Sequence, residues 1–265
     1  MFSPGHGVGI HDWRAQARVY RASVANPPDA ARMRLRLRVH HVSRSAQLQR
    51  VIMMAAPLRN THITNVLWQH TGALISSRAD LLRLGALFRL AAVSPHSAVF
   101  LPLRINEPSD TAASWRDGQG LADLLIVRRD VPLRPSAWPR IRATLRRGPG
   151  VPATMSAPAP RPPAVETYNP ALQALFVAEH ASTLVMSGTP TALHEAGDEL
   201  TWCGNEVATN EDIHRYGGPT GLSQFNGPDR RSGRRDGSWE CMVLAEDQIF
   251  HRSRWLRAMS EPADA

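Results

Sequence analysis

The chain has 265 residues, of which 43% are hydrophobic, so it can bury a core and is not a wholly disordered polymer. Its two cysteines are too few for a disulfide framework and favour a reducing, cytoplasmic location, with import into an organelle as the alternative. All 31 basic residues are arginine. Residues 1–150 hold 22 arginines and 8 acidic residues (net +14), whereas residues 151–265 hold 9 and 15 (net −6).

The first strong element is a strand over residues 32–42, in which polar and apolar residues alternate. The alternation predicts one apolar face, formed by Met33, Leu35, Leu37 and Val39, and one arginine face. Unpaired charges are costly to bury, so the arginine face must meet water, phosphate or carboxylate. Because arginine binds both anions through paired hydrogen bonds, we predict that this region binds a polyanion. The candidate binding residues are Arg32, Arg34, Arg36, Arg38, His40, Arg44 and Arg50.

Two other interpretations of the arginine row are open. It can be the solvated outer face of an edge strand, where charge discourages association between sheets. It can also pair with the chain's own acidic segment, residues 195–212. Aromatic side chains that would stack on bases are scarce near the row.

The rest of the first half predicts interleaved helices and strands. The clearest helix covers residues 76–94, with Ser77 as its N-cap and leucines at helical spacing. The other elements, in chain order, are a helix over 43–56, a helical or mixed segment over 60–75, strands over 97–105 and 121–131, and a helix over 136–145. This order favours a mixed α/β or α+β fold.

The second half begins after a proline-rich stretch. We predict a basic domain over residues 1–147, a linker over 148–165, and an acidic, helical but otherwise irregular region over 166–265. Within the last region, Asn169 caps a predicted helix that ends before Gly188. A strand is predicted over 239–245.

One segment of the second half, residues 194–214, is rich in metal-ligand types. His194 and Asp198 are four residues apart and would share one face of a helix, with Glu195 and His214 as further candidate ligands. The spacing is not the His-Glu-x-x-His pattern of zinc enzymes. A polar, partly exposed helix followed by a loop explains the segment equally well. No cofactor is expected unless this segment holds a metal ion.

These features predict a non-enzymatic binding or assembly protein whose partner is a nucleic acid or an acidic protein. The alternative is an intracellular hydrolase or transferase with a His/Glu/Asp site between the two halves, metal-dependent if the candidate ligands are used. No apolar run approaches the roughly 18 residues that a membrane helix needs, so we expect no membrane span.

Overall fold

The alternating segment forms the strand that its sequence predicts. In the computed structural model, β1 spans Arg34–His41, and Leu35 and Leu37 are buried while Arg34, Arg36 and Arg38 are exposed. The structure describes residues 33–42, 48–64, 71–131, 133–159, 175–209, 220–228 and 238–246.

Two mixed sheets contain all the named strands of the described residues. The strands after β1 are β2 (Arg50–Met54), β3 (Thr61–Ile63), β4 (Thr71–Ser76), β5 (Ser97–Leu101), β6 (Asp123–Arg128), β7 (Val151–Ser156), β8 (Phe176–His180), β9 (Thr183–Gly188), β10 (Thr220–Pro228) and β11 (Ser238–Ala245). The large sheet has the order β7-β1-β2-β5-β6-β9-β8, and the small sheet has the order β10-β11-β4-β3. Parallel pairs, such as β6 with β9, occur beside antiparallel ones, which confirms the predicted mixed class.

Two helices fill the space beside the large sheet. They are α1 (Arg78–Val93) and α4 (Pro190–Thr209), which pack against each other. One hydrophobic cluster joins them to the small sheet and to the face of the large sheet that carries Leu35 and Leu37, which we call the inner face. Ser77 caps α1 as predicted, since its hydroxyl accepts a hydrogen bond from the Asp80 N–H at 3.3 Å.

The opposite, outer face of the large sheet is covered in part by α3 (Trp138–Leu145). Trp138 is fully buried there, with its ring 4.9 Å from that of Phe100 and its Nε1–H donating to the Thr183 hydroxyl. A fourth helix, α2 (Asp110–Gln119), packs on the small sheet through Ala112. None of the helices in the described residues is long and apolar enough to cross a membrane.

Several predicted elements differ in the structure. The helix predicted over 43–56 is wrong in its described part, where β2 forms instead. The described parts of the segment over 60–75, which was predicted to be helical or mixed, form β3 and β4. The helix predicted before Gly188 is wrong from residue 176 onward, because β8 and β9 make an antiparallel hairpin there. Part of the predicted linker, Val151–Ser156, is an integral strand of the large sheet.

Candidate polyanion-binding face

The arginine face consists of the Arg34, Arg36 and Arg38 side chains on the outer face of the large sheet. All three are exposed, whereas Leu35 and Leu37 between them are 1% and 2% exposed. The predicted separation of charge from core along β1 is therefore confirmed for these residues. Arg32 and Arg44 lie outside the described residues.

The sheet topology explains why this part of the outer face is open. The α3 helix and its cluster cover residues of the central strands, such as Val51 of β2, Phe100 of β5 and Leu125 of β6. β1 and β7 lie at one end of the sheet, beyond that cluster. On β7 the residues opposite the three arginines are Ser156, Thr154 and Pro152, and all of them are exposed. The result is a polar surface two strands wide.

The chain that leads into β7 extends this surface. Arg38 donates a hydrogen bond from its guanidinium to the Pro149 carbonyl at 2.8 Å, so its side chain leans from β1 toward β7. Arg146 and Arg147, which precede Pro149 in the chain, are also exposed. Among the described residues, no carboxylate forms an ion pair with the three guanidinium groups of the arginine face. The face therefore presents positive charge that the described residues do not neutralise.

His40 lies on the same face of β1 but is half-buried. A Cβ added to Gly150 would lie 2.7 Å from the His40 Nε2, and Gly150 has a φ of +70°, so glycine is required for this close approach. Burial lowers the pKa of His40 below its usual 6.5, and the nearby Arg38 charge lowers the pKa further. At neutral pH the imidazole is therefore uncharged, and the arginines supply the positive charge.

This pKa shift gives a testable pH dependence. A bound polyanion favours the charged imidazole, so polyanion affinity should rise as the pH falls through the His40 pKa, which lies below 6.5 in the free protein. We expect a gain of roughly twofold to threefold between about pH 7.5 and pH 5.5. Titration of a fluorescent polyanion at both pH values checks it, with His40→Gln as the control. A gain of equal size in that variant would assign the effect to other groups.

Arg50 does not belong to the arginine face. In the register of β1 and β2 it lies opposite His41, so its side chain emerges on the inner face, on the same side as Ile52. Its Nε is buried and has no hydrogen-bond partner among the described residues. Its predicted position beside Arg44 depended on a helix that the structure replaces with a strand.

The described part of the acidic segment, residues 195–209, lies on the other side of the large sheet. Leu193, Ala196 and Leu200 of α4 share the inner-face cluster with Leu35 and Leu37. The interpretation in which the arginine row pairs with residues 195–212 therefore does not hold for their described part, residues 195–209.

The candidate metal ligands are brought together only in part. His194 Nδ1 lies 3.1 Å from an Asp198 carboxylate oxygen, so the two do share a helix face. Asp198 also forms an ion pair with Arg89 at 3.2 Å, and Glu195 is on an exposed position of α4. Within the described residues, no three His, Cys, Asp or Glu side chains are arranged to hold a metal ion, and His214 lies outside them. The Asp198 carboxylate thus links α4 to Arg89 of α1, and His194 contacts it from one turn away on α4.

The strand that completes the arginine surface was missed at the level of sequence. Val151, Ala153 and Met155 alternate with the polar or proline residues Pro152, Thr154 and Ser156, which is the period-two pattern of a strand. The prolines on either side made the stretch resemble a linker.

Comparisons of the chain with models of protein families, with curated proteins and with solved structures gave no match.

Proposed function

We propose that this chain is a non-enzymatic binding or assembly protein whose arginine face contacts a polyanion, either the phosphate groups of a nucleic acid or an acidic protein partner. The observation that carries the proposal is the row of three exposed arginines, which no carboxylate of the described residues neutralises.

The spacing of the row supports a ligand with regularly repeated negative charge. Residues on the same face of a strand are ~6.6 Å apart, so neighbouring guanidinium groups repel each other by roughly 0.6 kcal/mol in water. The repulsion is tolerated on a wet surface and is relieved when anions bind between the charges. Arginine also offers paired donors to carboxylate or phosphate, which adds geometric selectivity to the charge attraction.

Replacing Arg34, Arg36 and Arg38 together with alanine should weaken polyanion binding by roughly tenfold to a hundredfold at low salt. The slope of log affinity against log salt concentration should also become less steep by about 2 to 3, because binding releases fewer counterions when three charge contacts are missing. Fluorescence anisotropy with labelled single-stranded DNA and with heparin, across a series of salt concentrations, measures both quantities.

The matched control removes the same charge from other exposed positions. Arg59, Arg104 and Arg134 are exposed and lie outside β1 and β7. Their triple alanine variant should lose less than about threefold in affinity, because only the general attraction of the net charge is reduced. Equal losses in the two variants would contradict a localised binding face, and no binding by the unaltered protein at low salt would contradict the proposed function.

The alternative function, an intracellular hydrolase or transferase, has less support. His194 is 4% exposed and its Nδ1 is engaged with Asp198, which is itself held by Arg89. A general base or a metal ligand needs access to a substrate or ion, and here His194 is buried against Asp198 while Asp198 is held by Arg89 of α1.

A further inference from the structure

The outer edge of β7 carries backbone groups that point away from the sheet. Within the described parts of the chain, β7 is the terminal strand of the large sheet and pairs only with β1. Ala157 donates its N–H to the Met33 carbonyl at 2.8 Å, which shows which residues of β7 direct their backbone groups toward β1. Ala153 and Met155 therefore direct their N–H and C=O groups toward β1, and Thr154 and Ser156 direct theirs outward. Pro152 offers an outward carbonyl but no N–H.

Small side chains separate this edge from the arginine face. Pro152, Thr154 and Ser156 lie between the arginines of β1 and the outer edge, on the same face of the sheet. Because they are short, an arginine side chain can pass above them. Arg38 bends toward the start of β7, with its guanidinium bonded to the Pro149 carbonyl, and Arg34 and Arg36 lie opposite Ser156 and Thr154.

We propose that the outer edge of β7 binds an extended acidic polypeptide as an additional strand, whose carboxylates at alternate positions meet Arg34, Arg36 and Arg38. The inference rests on the proposed function and assigns the partner class of the same face. A strand added beside β7 lies about 10 Å from β1, since neighbouring strands are ~4.8 Å apart. An arginine and a glutamate extended toward each other span that distance above Thr154 and Ser156.

The surface fits a polypeptide better than a nucleic acid. The outward N–H and C=O groups of Thr154 and Ser156 match the backbone of a strand. A DNA backbone offers no donors to these carbonyls, and an RNA backbone offers only its 2′-hydroxyls. Alternate residues of an added strand have the same ~6.6 Å spacing as the arginine row. The described residues of this surface on β1 and β7 include no Phe, Tyr or Trp on which bases would stack.

The test uses the full chain and two peptides of equal composition. One alternates Glu with Thr, and the other carries its Glu residues in adjacent pairs, which would place carboxylates on both faces of a strand. We expect the alternating peptide to bind about tenfold more tightly than the paired one. Thr154→Pro removes an outward N–H and should weaken binding of the alternating peptide by about tenfold, whereas Thr154→Ala, which keeps the N–H, should change it by less than about twofold.

Residue-resolved hydrogen exchange on the unaltered protein gives a readout that does not depend on how the proline variant folds. The alternating peptide should slow exchange at the Thr154 and Ser156 amides, and a single-stranded DNA oligonucleotide should not. Unchanged exchange at both amides, with full binding by Thr154→Pro, would overturn the proposed strand addition. Binding of the oligonucleotide with no binding of either peptide would also overturn it and leave the polyanion function standing. Failure of all three ligands to bind would instead reject the proposed function itself.

Discussion

Replacing Gly85 with alanine should lower the free energy of unfolding by about 3 kcal/mol, because this glycine lies where α1 touches α4. A Cβ at Gly85 would lie 2.3 Å from the Thr201 hydroxyl and 2.5 Å from the Gly197 carbonyl oxygen. The second atom belongs to the backbone of α4, so the clash is relieved only if the two helices separate. On an isolated helix the same substitution would stabilise the helix by about 1 kcal/mol. A loss of stability would therefore show that the two helices are in close contact at Gly85.

Urea unfolding of the purified variant measures this loss. Gly148→Ala is the control, because a Cβ at Gly148 meets no atom within 4 Å and its stability should change by less than about 0.5 kcal/mol. Gly197→Ala probes the same contact from the other helix, since its Cβ would lie 2.6 Å from the Gly85 carbonyl oxygen. If Gly85→Ala were as stable as the unaltered protein, the two helices could not be in backbone contact at this point.

The sequence predicted β1 and failed for β2 for one physical reason, which is the number of buried faces. β1 is buried on one face only, so its residues alternate between Leu and Arg. β2 lies inside the sheet, with Ile52 in the inner cluster and Val51 in the outer one. A strand buried on both faces has a continuous apolar run, which periodicity cannot distinguish from a helix.

The hairpin of β8 and β9 was hidden by its turn. Ala181 and Ser182 have φ values of 50° and 57°, a conformation that Asn and Gly usually signal in a sequence. With neither residue present, the spacing of Leu175, Phe176 and Leu184 resembled that of a helix. Here tertiary packing overrides local preference, because β9 lies between β6 and β8 in the sheet.

Only the part of the candidate site that lies on one strand, β1, could be predicted from the sequence. The exposure of Arg34, Arg36 and Arg38 follows from alternation along one strand. Their neighbours on β7 could not be predicted in this way, because β7 comes more than a hundred residues later in the chain. The hydrogen bond from Arg38 to Pro149 crosses the same separation. Pairing between strands so distant in sequence is set by the whole sheet, and no local pattern encodes the register.

The largest single loss of stability is expected for Arg89→Met, at about 3 to 5 kcal/mol. Arg89 is 1% exposed and joins α1 to α4. Its guanidinium donates hydrogen bonds to the Pro158 carbonyl, the Gly197 carbonyl, the Asp198 carboxylate and the Thr201 hydroxyl. Methionine fills a similar volume but donates no hydrogen bond, so it leaves buried acceptors without their donor.

Arg83→Met on the same helix is the matched control. Arg83 also pairs with a carboxylate, that of Asp80 at 2.9 Å, and its own side chain is 47% exposed. The Asp80 carboxylate is buried but keeps hydrogen bonds from the Asn60 N–H and the Thr61 hydroxyl, so the loss should stay at about 1 to 2 kcal/mol. Combining Arg89→Met with Asp198→Asn should cost less than the two changes added together, since both remove the same ion pair. If Arg89→Met cost no more than Arg83→Met, the Asp198 carboxylate would not be committed to Arg89.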